Sequence, residues 1–550
     1  MTFLALALTA FLAAGLCSPH PPTPSVTTEH GTLLGGRCDM TDVDFFLSVP
    51  YANLPARFHA PVPYAGSIMT GTRQLQRQPV HSLGQPLLRQ DHNLRTGNLF
   101  LDIWVPAHPP RGPKLPVKIW IYGGGDETGG ISNAMYTGCY AAHDTIQVNI
   151  NYRLGPLGFL SLEKAGIHGN FGIQDLLLAL KWIKTNIESF GGDPDKMVLF
   201  GQSAGSFDTF VIATLDEAPH LISAAIMQSG GGRDFPSVAE AQPWNELFAT
   251  TLGCHSSDFS CINSKNVTEM QQAVLAMPLG VGPSIGSPLI HLGRGFPWGP
   301  LLDSKVIPHS PASAGVKVPS IFGSTSAEGM LFVLATYDTN LTTQTQATYD
   351  DVLRYQFGRL ASRVNSTYPL SKFPPTASSP NSVDSAIGAI LTDYTYKCPA
   401  HRGLQQGVAN NIPVYTYLFS HTPSCNWIAS VPSNSFIHGF LGATHTAELP
   451  FVFGVLNGLP APGGNCSSTT DEVQLSKRII SAWDSMAATR NPGADWPRWF
   501  PGQGRGKGLG VNYLANGTVV GEVDYSACPF WDEIRDELLV MVARGEVSGP

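Results

Sequence analysis

Six short apolar runs punctuate the chain, at residues 117–122, 146–152, 197–200, 224–228, 320–322 and 414–419. They are rich in β-branched and aromatic residues and mostly give way to Gly, Asn or Ser, the pattern of buried strands. Between them apolar positions recur at helical spacing. The clearest case is IQDLLLALKWIKTNIESF at 173–190, stopped by Gly191, Gly192, Asp193 and Pro194. Strands alternating with helices predict an α/β fold with a large, mostly parallel central sheet covered on both faces.

The apolar stretch 3–16 is too short for a stable membrane span and turns into small residues and prolines. It reads as a secretory signal peptide whose positive charge is the free amino terminus. Residues 18–30 form a Pro/Thr-rich lead-in, and no repeat, charge block or long linker follows. No later apolar run is long enough to span a bilayer.

Charged residues make up 13% of the chain and hydrophobic ones 43%, which fits a well-buried body. A net charge of −8 offers no basic surface for nucleic acid. Of nine cysteines, Cys17 falls in the signal region, and the remaining even number is expected to form disulfides in a secreted protein. No CxxC or HExxH run is present, so no metal is expected. Asn266, Asn340, Asn365, Asn465 and Asn516 stand in glycosylation sequons.

Two segments match GxSxG. Ser203 lies in VLFGQSAGSF, after an apolar strand and before a run able to form a helix, the setting of a nucleophile elbow. Ser284 lies in MPLGVGPSIGSPLI, where Pro283 and the glycines predict a surface loop. A serine nucleophile also needs a base, an orienting acid and donors for the oxyanion. Upstream, the strand in VKIWIYGGG ends at Gly123, Gly124 and Gly125, whose N–H groups can point at an oxyanion. Glu328, just beyond the strand in SIFGSTSAEG, is a suitable acid, with Asp303 of GPLLDSKVIP a rival that looks like a turn former. On chemistry alone either His438 or His445 serves as the base.

These motifs carry a resemblance. FFLSVPYANLPARF, IYGGG, NYRLGPLGFL, GNFGIQD, ESFGGDP, FGQSAGS, GSTSAEG and GATHTAELPFVFG occur in the order of the type-B carboxylesterase/lipase family, which includes the cholinesterases. The chain resembles this family, in particular a secreted, fungal-type member, over nearly its whole mature length. The resemblance implies residues 1–17 as signal peptide and 18–550 as a single α/β-hydrolase domain. It implies hydrolysis of a small-molecule carboxylic ester without a cofactor. It assigns Ser203 as nucleophile, Glu328 as acid and His445 as base, with oxyanion donors from Gly124, Gly125 and Ala204. It pairs Cys254 with Cys261 and Cys398 with Cys528, which leaves Cys425 for Cys466 and Cys38 for Cys139.

The chain also departs from that family. The usual HGGGF run reads YGGGD, placing Asp126 beside the expected oxyanion donors, where an inward carboxylate would oppose the developing alkoxide. The expectation is that Asp126 turns to solvent or caps the next turn; a site tuned for an unusual substrate is the alternative. Gln202 precedes the nucleophile where a Glu is common. Asp208 follows on the helix, either behind the site or as an ordinary polar residue. The loop 73–98 has arginines but no Trp or Cys, and Asn98 replaces a family cysteine, so a lipid-binding lid and choline recognition are both disfavoured. A secreted carboxylesterase acting on neutral esters is the leading expectation. An enzyme of specialised metabolism using the same site for acyl transfer, lactone opening or elimination is the alternative. A non-catalytic binding protein is disfavoured by the intact Ser203, Glu328 and His445. Oligomeric state is left open.

Overall fold

The computed structural model describes residues 23–67, 98–109, 112–277, 298–337, 343–432, 434–502, 508–514 and 517–543. The apolar stretch 3–16, Ser284 with its motif, the sequons at Asn340 and Asn516, and all of the loop 73–98 except its last residue lie outside them.

The strands of the central sheet are β1 (Val43–Asn53), β2 (Asn98–Pro106), β3 (Leu115–Ile121), β4 (Ile146–Ile150), β5 (Gly192–Gln202), β6 (Ala224–Gln228), β7 (Ser320–Thr325), β8 (Val414–Phe419), β9 (Gly508–Leu514) and β10 (Gly517–Val523). They lie in the order β10-β9-β8-β7-β6-β5-β3-β4-β2-β1, and the short segments Gly36–Arg37 and Val62–Pro63 both pair with β1. From β9 to β4 the neighbours run parallel. The outer pairs are antiparallel. Each of the six apolar runs is found in the parallel part, where burial on both faces demands continuous hydrophobicity. The sequence pattern missed β1, β2, β9 and β10. Pro50 and two register shifts interrupt the alternation of β1, features that pattern reading assigns to edges and loops.

Helices α1 (Phe171–Asn186), α2 (Ala204–Thr214), α3 (Gly329–Tyr337), α4 (Leu449–Phe453) and α5 (Thr470–Thr489) bear on the site. The predicted helix 173–190 continues past α1 as a 3₁₀ turn, Ile187–Phe190, and ends at Gly191 with φ 84°. The buried ring of Trp120 on β3 lies 4.9 Å from Phe200 of β5 and 4.9 Å from Phe453 of α4, pinning α4 onto the sheet. The buried Arg153 guanidinium grips both oxygens of Asp175 on α1, at 2.7 and 2.6 Å, and donates to the His59 carbonyl at 2.7 Å. A charge this deep is tolerated because its partner and hydrogen bonds accompany it. Four disulfides join Cys38–Cys139, Cys254–Cys261, Cys398–Cys528 and Cys425–Cys466.

Candidate active site

β5 ends at Gln202, α2 begins at Ala204, and Ser203 takes the sharp turn between them with φ 58° and ψ −125°. The flanking glycines are steric necessities. A Cβ on Gly201 would meet the Gly205 carbonyl oxygen at 2.2 Å, and one on Gly205 would meet that of Ile121 at 2.1 Å. The turn is tied down by the Ser203 N–H, which donates to the Gln228 carbonyl at 3.0 Å.

Glu328 lies three residues beyond β7, fully buried. One carboxylate oxygen accepts the Thr325 N–H at 2.7 Å; the other meets His445 Nδ1 at 2.6 Å. The His445 loop is laced to this corner. Ala327 N–H donates to the Ala443 carbonyl at 3.0 Å, and Leu331 N–H to Thr444 Oγ1 at 2.8 Å. The imidazole packs against Tyr396 and Phe332, with ring centres 4.8 and 5.2 Å away. Since Nδ1 carries the proton toward Glu328, Nε2 is the acceptor, and the Gln202 amide nitrogen donates to it at 3.1 Å.

The rivals are placed elsewhere. Asp303 accepts the N–H groups of Lys305, Val306 and Ile307 at 2.9–3.0 Å with one oxygen and the Asn170 amide at 2.9 Å with the other. His438 lies in the helix Ser435–Leu441, and the Glu328 oxygens are taken up by Thr325 and His445.

The glycine loop after β3 lies against the elbow. A Cβ on Gly123 would meet Gln202 O at 2.4 Å and Ser203 Cβ at 2.8 Å. Gly124 and Gly125 have φ of 126° and 68°, a path that L-residues with side chains rarely follow. The Gly124 carbonyl is turned into the loop, where Glu127 and Thr128 N–H groups reach it at 3.2 and 3.1 Å. At the start of α2 the Ala204 N–H has no intrahelical acceptor, which leaves a donor beside the serine.

The expectation that Asp126 turns to solvent or caps the next turn is overturned. Asp126 is 1% exposed. Its φ of 56° carries the side chain inward, where the Tyr152 hydroxyl approaches Oδ1 at 3.3 Å. Burial pushes this carboxyl up to about 7. Asp208 is also fully buried, and burial followed by the charge of Asp126 holds it well above the usual carboxylate range.

Sequence reasoning gave no role to Glu448, although the GATHTAEL motif contains it three residues after His445. It accepts the Gln228 amide at 3.0 Å, and the other end of that amide accepts from Trp483 of α5 at 3.1 Å. Burial first, then the charge of Glu328, pushes Glu448 up to about 7. Among the described residues no group of three His, Cys, Asp or Glu side chains is arranged to hold a metal. No described helix is long and apolar enough to cross a membrane.

A parallel sheet flanked by helices, a serine at a sharp strand–helix turn, and a carboxylate–imidazole pair built beyond another strand are the elements of an α/β-hydrolase site. The chain belongs to the Carboxylesterase family, whose profile matches residues 22–515. It is 30% identical to a para-nitrobenzyl esterase of Bacillus subtilis (strain 168), over 86% of this chain and 91% of that protein. It is likewise 30% identical to a bile salt-activated lipase of Bos taurus, over 85% of this chain and 79% of that protein. Solved structures of a PNB esterase superimpose with TM-scores of 0.68 and 0.71 at 28% identity, covering 94% and 93% of this chain and 100% and 99% of theirs. The protein is a carboxylic ester hydrolase.

Proposed function

We propose that hydrolysis runs through an acyl-enzyme on Ser203, with His445 as general base and acid and Glu328 as its orienting partner. The observation that carries this reading is the 2.6 Å contact between Glu328 and His445 Nδ1, which fixes the tautomer whose Nε2 can take a proton. Ser203 Oγ adds to the ester carbonyl carbon as its proton passes to Nε2. Negative charge then develops on the former carbonyl oxygen, for which the N–H groups of Gly124, Gly125 and Ala204 are the proposed donors. Collapse expels the alcohol, which receives the proton from His445, and a water repeats the sequence to release the acid and free Ser203. The Gln202 amide must yield Nε2 during proton transfer.

The substrate class is neutral esters. Gln202 supplies no charge beside the nucleophile, and the nearby acids Asp126 and Asp208 are buried with carboxyls shifted toward the neutral form. Secretion is the compartment this reading favours, supported by the four disulfides. The test is labelling with a fluorophosphonate alongside turnover of p-nitrobenzyl and aryl esters. The intact protein is expected to label and turn over, and Ser203→Ala to do neither. Undiminished labelling of Ser203→Ala would overturn the assignment.

A further inference from the structure

Asp126 and Asp208, two departures from the family pattern, come from different elements and end face to face. Asp126 follows Gly124 and Gly125 in the glycine loop, and Asp208 lies five residues after Ser203 on α2. They are 1% and 0% exposed, and their carboxyl groups are in hydrogen-bonding contact. Two ionised carboxylates only repel, because each is solely an acceptor.

Among the described residues, donors from outside the pair are scarce. The Tyr152 hydroxyl has one hydrogen, and the Tyr122 carbonyl takes it at 2.9 Å, closer than Asp126 Oδ1 at 3.3 Å. The same hydroxyl also reaches Asp208, so its one hydrogen faces three acceptors and cannot satisfy both acids. A proton held between the two acids supplies the missing donor.

We propose that Asp126 and Asp208 share one proton, and that the resulting carboxyl–carboxylate hydrogen bond is a positioning device tying the glycine loop to the nucleophile's helix. Loss of that proton places two buried negative charges in contact, pushes the loop away from Ser203 and lowers the rate of ester hydrolysis. This rests on the proposed roles of Ser203 and the loop donors.

The surroundings bear it out. Facing the pair are Tyr122 at the end of β3, Glu127 on the loop, Tyr152 after β4 and Arg233 after β6. Arg233 is buried over the Phe207 ring at 4.0 Å and attracts Asp126, so one negative charge on the pair is offset. A second charge meets no further cation among these groups. Glu127 is itself pushed up to about 8 by burial and by Asp126. Both members of the pair are held above the ordinary carboxylate range, as in other carboxyl pairs that hold a single proton.

The experiment combines pH–rate profiles with infrared spectroscopy. Asn imitates the protonated acid and can still donate, but does not titrate. The unaltered enzyme should show a protonated-carboxylic-acid carbonyl band at neutral pH and lose kcat about tenfold on the alkaline side, where the pair ionises. Asp208→Asn should stay within about threefold at neutral pH, show loss of a carboxylic-acid band in the difference spectrum against the unaltered enzyme, in which the Glu127 and Glu448 bands cancel, and hold its rate into alkali. Asp208→Ala should lose kcat at every pH with KM little changed. Should Asp208→Asn not fold, Asp126→Asn tests the same bond from the other side. Absence of that difference band, or an unchanged alkaline fall in the Asn variants, overturns the pair. A band present in a protein that Ser203→Ala leaves fully active would instead overturn the proposed function and leave the shared proton standing.

Discussion

The side-chain amide of Gln202 stands 3.1 Å from Nε2 of His445, the nitrogen opposite the one that meets Glu328. The residue before the nucleophile is thus a direct partner of the proposed base. A neutral amide donates to the uncharged imidazole but does nothing for the imidazolium. A carboxylate in the same place favours the protonated ring. Gln202→Glu should therefore shift the acid limb of the kcat/KM profile upward by about one pH unit. The profile measured on a neutral aryl ester checks this, and an unmoved acid limb would remove Gln202 from contact with the base.

His445→Ala and Glu328→Gln should each lower kcat by several orders of magnitude, because members of a triad act as one unit. His438→Ala should change kcat less than about threefold, the usual scale for a residue outside the reacting groups. Steady-state kinetics on the three variants, with circular dichroism to confirm folding, decides between the two histidines.

Gly205→Ala should abolish activity by dislodging the elbow. The added Cβ would come 2.1 Å from the Ile121 carbonyl oxygen, which belongs to the central sheet and cannot retreat. A loss of about 1–3 kcal/mol in stability should accompany it. Denaturant melts and fluorophosphonate labelling measure the two effects separately.

Glu448 should make stability depend on pH. Its carboxyl is pushed up to about 7 in the folded chain, against about 4.3 for an unfolded glutamate. The folded state therefore binds the proton more tightly, and stability from this group falls as pH rises from about 4.3 to about 7. Glu448→Gln abolishes the dependence. Its Tm relative to the unaltered protein should rise between pH 5 and pH 8, and a constant difference would contradict the burial argument.

The Cys425–Cys466 bridge spans 41 residues of sequence that include His445. Replacing both cysteines with serine should lower stability by about 2–4 kcal/mol through greater freedom of the unfolded chain. Thermal melts with and without the bridge give the value, and ester turnover shows how far the His445 loop loosens.

Local pattern in the sequence was enough for six of the parallel strands, because strands buried on both faces must be continuously apolar, and for Ser203, because a strand, a tight glycine turn and a helix are all nearest-neighbour features; the parallel strand β9 escaped it. It was also enough to name Glu328 and the two histidines as candidates; the family resemblance favoured His445, and the fold supplies the contact that chemistry alone left open. His445 rather than His438 meets Glu328 because Ala327 and Ala443 join their backbones 116 residues apart in the chain. The inward turn of Asp126, its meeting with Asp208, and the grip of Gln202 on His445 were equally beyond local reading. Each depends on which side chains of separate elements are buried against one another. Burial also decides the charge of a carboxyl, since the same Asp is an ordinary anion in water and a proton holder beside a second acid in the core.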